Sequence, residues 1–166
     1  MALPATTNER RAQNVMFQST EDAPVQLLFR NFAGKEGQYN KEGDRNFCVL
    51  LPPDLAAAML NDGWNIKSLR SRAEDEPPQA YIQVSIGYKV RPPRVVIITT
   101  RRGELVRTEL FEQELELLDW VDIAKVDLII RPYHWNVSGK SGVKAYLKSL
   151  YITIQEDPLE LKYNEL

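Results

Sequence analysis

Cysteine is nearly absent from this chain. Cys48 stands alone among 166 residues, which excludes an internal disulfide and leaves no cysteine cluster to hold zinc. Set in the apolar run Phe47, Cys48, Val49, Leu50, it is expected to be inert core, because a buried cysteine behaves as a small hydrophobe. Histidine is equally scarce. His134 is the only one, it sits between Tyr133 and Trp135 in a strand-like run, and no carboxylate and histidine spacing suggests a metal site. No nucleophile has a recognisable base partner either. Gly34, Gly37 and Gly43 lie near one another but lack the Gly-Lys-Ser/Thr ending of a phosphate loop, which argues against nucleotide hydrolysis. No apolar stretch approaches the roughly 18 to 20 residues of a membrane span, and the N-terminus carries no apolar signal core. These absences lead to the expectation of a non-enzymatic protein without cofactor or metal, located in the cytoplasm.

What is present is ordinary in bulk and uneven in detail. A hydrophobic share of 43% and a charged share of 27% place the chain among globular domains, and its length suits one domain with a core of its own. The formal net charge is only −2, which at first sight argues against a nucleic-acid partner. The charges are segregated, however. Acidic residues collect over 104–127 and again after 155, whereas 128–155 holds Arg131, Lys140, Lys144 and Lys148 with no acid. Because salt screens charge over about 10 Å, a local basic strip matters more to a phosphate than the sum does.

Along the chain, residues 1–24 lack a sustained apolar period and read as a flexible arm. The domain is expected over 25–155, with a short acidic tail at 156–166. Strand formers fill 25–33 and 45–51. The sequence GKEGQYNKEGD between them reads as a mobile excursion, flanked by Arg30, Lys35, Lys41 and Arg45. Pro52 and Pro53 stop the second strand, and DLAAAMLNDG is a short helix with Asp54 at its positive end and Gly63 as its stop. Further strands are expected at 64–69, 80–88, 95–100 and 104–107, and a short acidic helix at 110–118. Two long strands, 127–137 and 143–154, are joined by a Gly- and Ser-rich turn. This pattern predicts a mainly β domain, an OB-fold-like, partly closed antiparallel Greek-key barrel with one or two short helices; a sandwich is the other option.

The last two strands carry the functional signal. Alternation puts Ile129, Arg131, Tyr133 and Trp135 on one face of the first, and Lys144, Tyr146 and Lys148 on the outer face of the second. Beyond Ser149 the apolar phase flips to Leu150, Ile152 and Ile154, which a β-bulge near Ser149 explains, and Tyr151 then joins the outer face. Cations bind phosphates and flat rings stack on unpaired bases, so this ribbon points to single-stranded nucleic acid. Stacking contributes about 1 to 3 kcal/mol per base and tolerates any sequence. The expected contact residues are Arg131, Tyr133, Trp135, Lys140, Lys144, Tyr146, Lys148 and Tyr151. The competing expectation is that Tyr133 and Trp135 fill the core while the lysines only solvate an outer face. Arg91, Arg94, Arg101, Arg102 and Arg107, around a second hairpin, are weaker candidates for guiding phosphates.

The strings RNFAGKEGQYNKEGDRNFCVLL at 30–51, DGWNIKSL at 62–69, LDWVDIAKVDLIIRPYHW at 118–135 and SGKSGVKAYLKSLYITIQED at 138–157 resemble a family of small phage and prophage single-stranded DNA-binding proteins. The resemblance implies an OB-fold that coats exposed single strands during phage replication or recombination, in the cytoplasm of the host. It also implies a role for the acidic tail in recruiting replication or recombination proteins, although EDPLELKYNEL has no dense acidic run. It brings no contact residues with it. Other readings stay open: an adaptor of phage replication or packaging machinery, a metal-dependent nuclease, and RNA in place of DNA, since nothing identifies a contact to the 2′-hydroxyl.

Overall fold

A computed structural model describes residues 12–70 and 74–155. Among these residues nine strands form one continuous sheet: β1 Val15–Gln18, β2 Leu27–Asn31, β3 Arg45–Leu51, β4 Ile66–Leu69, β5 Gln79–Ile86, β6 Arg94–Arg101, β7 Glu104–Leu110, β8 Ile123–Val137 and β9 Lys140–Ile154. Helix α1 spans Pro53–Asn61 and a 3-10 helix spans Glu112–Asp119. The main path runs β1-β8-β9-β5-β3-β2 and its two ends do not pair, so the sheet stays open.

Strand β9 organises this sheet. One edge pairs antiparallel with β8 along its length. The other edge is shared, the first half running parallel to β5 through Val84↔Ala145 and Ser85↔Tyr146, the second half parallel to β6 from Arg94↔Ser149 to Ile98↔Thr153. The sheet is therefore mixed. The division falls at the bulge that the apolar phase requires: Ile130 faces Leu147 and Ile129 faces Ser149, which leaves Lys148 over. Before it Val143, Ala145 and Leu147 are buried, and after it Leu150 and Ile152 are. One extra residue thus lets β9 keep an apolar inner face across a change of neighbour, since side chains alternate with a period of two.

Under the sheet lies a core that includes Phe32, Phe47, Trp64, Leu115, Leu118, Leu128 and Ile130, with Phe32 and Phe47 stacked at 5.1 Å. Helix α1 opens on Pro53, has Asp54 in its first turn and buries Ala56 and Met59. Gly63, at φ 100°, takes the chain on to Trp64 in a conformation that a side chain resists. Cys48 is buried as expected, and burial pushes its thiol up to about 11.

Two expectations need correction. The arm expected over 1–24 is structured from residue 12: β1 pairs with β8, Phe17 and Ala12 are buried, and the Ser19 hydroxyl donates to the Val126 carbonyl at 2.7 Å. A four-residue strand has too few repeats to show a period, and its partner lies more than a hundred residues away in sequence. Residues 1–11 and the tail 156–166 lie outside the described residues. The loop between β2 and β3, expected to be a mobile excursion, is cross-tied. The Asn40 side-chain amide donates to the carbonyls of Lys35, Lys41 and Asp44, its oxygen accepts from Asn46, and the Gly43 amide donates to the Gly34 carbonyl at 2.8 Å. Arg30, one of the cations flanking this loop, is spent on structure, donating to the carbonyls of Leu118 and Val121, while Asp119 accepts from the amides of Phe32 and Ala33. These bonds fasten the 3-10 helix to the end of β2.

Candidate nucleic-acid interface

The outer face of β3, β5, β9 and β8 carries a groove of about 1020 Å³. Its floor follows from register: Asn46 pairs with Ser85, Ser85 with Tyr146 and Tyr146 with Arg131, one row across four strands. The next positions along the β8–β9 ribbon put Tyr133 opposite Lys144 and Trp135 opposite Gly142. Arg131, Tyr133, Trp135, Lys144 and Tyr146 all line the groove.

Tyr146 sits at the middle of this cluster. Tyr133 meets it edge to face with ring centroids 6.0 Å apart at 90°, the Lys144 ammonium lies 5.1 Å from its ring centroid, and the Arg131 guanidinium lies 5.9 Å away. Such contacts fix both the rings and the cations around them. Two glycines make room. A Cβ on Gly142 would come within 2.6 Å of Trp135 Cζ2 and 2.8 Å of Cε2, so the indole lies directly on the Gly142 backbone; a Cβ on Gly87 would meet Tyr146 Cε1 at 3.3 Å. Tyr133 remains 56% exposed and Trp135 36% exposed. Neither fills the core, which removes the competing expectation; the deeply buried tryptophan is Trp64.

The electrostatics favour an incoming anion. Burial, and next the neighbouring Arg91 guanidinium, hold Arg131 below the ordinary arginine value, with Tyr146 opposing them. Arg131 also donates to the Arg91 carbonyl at 3.2 Å. Two like charges kept together in a groove repel until an anion comes between them. The ion pairs found among the described residues are Arg45–Glu112 at 3.1 Å and Lys125–Asp127 at 3.7 Å, so Arg131 and Lys144 keep their charge available. At the opposite rim, Tyr88 Oη and Arg45 Nε are buried without a hydrogen-bond partner among the described residues. Burial raises the Tyr88 phenol above its usual value, Glu112 adds to the rise and Arg45 opposes it.

The other expected contacts are not brought into the groove. Lys140 lies opposite Val137 at the tip of the hairpin, Lys148 is the exposed extra residue of the bulge, and Tyr151 is half-buried beyond it, opposite Asp127. His134 is exposed and pairs with Val143. Conversely, Tyr39, Tyr88 and Lys89 line the groove without having stood out in the sequence, and Arg91 was only one of several hairpin arginines. Tyr39 is 94% exposed on the cross-tied loop. Tyr88 and Lys89 follow β5, and they reach the ribbon through the parallel β5–β9 pairing, for which no local pattern exists.

No curated protein matches the chain. In fold it is similar to the single-stranded DNA-binding protein from bacteriophage Enc34 in complex with ssDNA, with 15% identity over 88% of this chain and 89% of that one and a TM-score of 0.52. A second structure of the Enc34 protein gives 14% identity over 88% of this chain and 83% of that one, with a TM-score of 0.50. At such identities the likeness establishes the fold. The family model described as "Putative phage ssDNA-binding domain" matches residues 6–166, and the chain belongs to that family.

Proposed function

We propose that this protein binds single-stranded DNA with little sequence preference in phage DNA replication or recombination, without catalysing a reaction, and that the β8–β9 groove is where it does so. One observation carries the reading: Tyr133, Trp135 and Tyr146 share one open groove with Arg131 and Lys144, and neither cation has an acidic partner among the described residues. Bases stack on the rings while Arg131 and Lys144 neutralise phosphates, with Arg91 beside Arg131 and Lys89 also in the lining. Stacking reads no base edge, so all sequences are held alike. Lys140, Lys148 and Tyr151 belong to this reading only as contacts flanking the groove.

The test is a tryptophan fluorescence titration with oligo(dT), duplex DNA and RNA at two salt concentrations. Of the three tryptophans, Trp64 is buried and Trp120 is 73% exposed, so a Trp120→Phe background isolates the response of Trp135. Affinity should fall with salt by about 0.7 in log K per decade for each phosphate neutralised. Trp135→Ala, which has lost the reporting indole and is therefore followed by anisotropy of a labelled oligonucleotide, should weaken binding to every base composition alike. A salt-insensitive isotherm, or unchanged binding by folded Trp135→Ala, would overturn the reading.

Within the same proposal the protein acts in the host cytoplasm, and its acidic tail recruits replication or recombination proteins. Among the described residues no helix is long and apolar enough to cross a membrane. The alternative, an adaptor of replication or packaging machinery, draws on the exposed Phe111, Leu117 and Trp120 around the acidic 3-10 helix. Retention of a protein partner with no oligonucleotide shift would favour it.

A further inference from the structure

We propose that the bound strand runs on past the groove along the outer face of β5, and that Phe29, Tyr81 and Lys67 form a second station for a stacked base and its phosphate. The proposal rests on single-strand binding in the groove and extends it. The lining residues of the groove include Ser85 and Gln83 on the outer face of β5 and stop short of Tyr81, the next residue of that face. With a rise of about 3.3 Å per residue, Tyr81 lies about 13 Å beyond Ser85 along the strand, an extension of the same surface.

Phe29 is unusual in three ways at once. It is 61% exposed, it adopts φ 49°, and it stands where the β2–β3 register shifts between Leu28 and Asn31. The left-handed region is unfavourable for a bulky side chain, and a protein tolerates it where the surrounding structure demands it, often at ligand clamps. Here the strain brings no burial. It swings the ring out of the ladder and sets it edge to face against Tyr81, with centroids 6.0 Å apart at 71°. A cation stands beside the pair: Lys67 on β4 is the register partner of Tyr81, and its ammonium reaches only a weak contact with Gln83 Oε1 at 3.5 Å. The arrangement repeats that of the groove, a ring held edge-on by a second ring beside an ammonium that no acid among the described residues pairs. Base faces and phosphates are the ligands that match both parts.

The experiment measures fluorescence anisotropy of labelled oligo(dT) of graded length with the whole chain and its variants. Phe29→Ala should match the unaltered protein on the shortest oligomers that bind and lose about tenfold on longer ones, where the second station is reached. Lys67→Gln should lower the salt slope by about 0.7 on the long oligomers only. Phe29→Gly removes the ring yet suits the positive φ, so it must give the same length-dependent loss with an equal or higher melting temperature; normal binding by this variant would overturn the proposal. If Trp135→Ala weakens binding at every length while Phe29→Ala and Lys67→Gln change nothing at any length, the extension is wrong and the groove stands. If Trp135→Ala is also without effect, the groove reading fails and the extension with it. A loss for Phe29→Ala that is equal at all lengths overturns the second station as a separate one.

Discussion

A single methyl group tests the site without touching a contact side chain. In Gly142→Ala the new Cβ would lie 2.6 Å from Trp135 Cζ2, 2.8 Å from Cε2 and 3.0 Å from Nε1, all inside any tolerable contact, so the indole must leave its seat. Gly142 lies on β9 outside the positive-φ region, so the backbone accepts alanine and the unfolded chain becomes slightly less free. Stability should change by no more than about 1 kcal/mol, since the indole lies near the tip of the hairpin, two pairs from the turn, and no core residue moves. Binding should suffer far more. Loss of one stacked base is worth about 1 to 3 kcal/mol, or about 5- to 150-fold in Kd. The assay is a double-mutant cycle on oligo(dT), with melting curves of each variant as the control for folding. Once Trp135→Ala has removed the ring, the extra methyl meets nothing, so the double variant should bind no worse than Trp135→Ala alone. Additive losses, or a Gly142→Ala protein that binds normally, would refute the claim that the ring must lie on this glycine to bind.

The remaining predictions concern charge and register. Arg131→Gln and Lys144→Gln should each lower the slope of log K against log salt by about 0.7, and the same measurement on Lys140→Gln and Lys148→Gln decides whether those residues, outside the groove, touch phosphate at all. Glu112→Gln should tighten binding by up to about fivefold, the upper range for one partly exposed pair, because it removes an anion from the groove and frees Arg45; weaker binding by a folded variant would show that Glu112 is needed to place Arg45. Deleting Lys148 should abolish the cooperative thermal transition seen by circular dichroism, because Leu150 and Ile152 would be turned from core to solvent. A normal melt would mean that the bulge does not set the phase of β9.

How much of this could be read in the chain differs by element. Strand β3 and the β8–β9 ribbon were legible because their apolar phase is strong, and even the bulge was, since Leu147 and Leu150 cannot share a face without an inserted residue. Helix α1 was marked by Pro53, Asp54 and Gly63. Strand β1 was not legible, since its four residues gain their order from β8 and from the Ser19 and Asp127 contacts far along the chain. Half of the groove was legible for the same reason that β8 and β9 were: alternation decides which side chains share a face. The other half depends on which strand lies beside β9, and parallel neighbours leave no trace in local periodicity. Phe29 was hidden because a register shift in one short strand has no sequence period at all.

The bulge at Lys148 is what lets one strand serve both the core and the ligand surface. Ahead of it, β9 runs beside β5 and gives its outer face to Lys144 and Tyr146; after it, β9 runs beside β6, with Leu150 and Ile152 buried on its inner face. Without the extra residue, an unbroken alternation would force a choice between an apolar inner face before residue 148 and one after it. With it, the basic and aromatic outer face can sit next to Ser85 and Asn46 while the inner face stays dry throughout. Tyr146 is thereby mounted on a strand paired on both sides, and Tyr133 and Trp135 stand beside it on β8, with Gly142 seating Trp135 and Gly87 leaving room for Tyr146. A strand entering such a groove meets rings that need little further ordering, and the entropy cost of ordering flexible side chains on binding is correspondingly small.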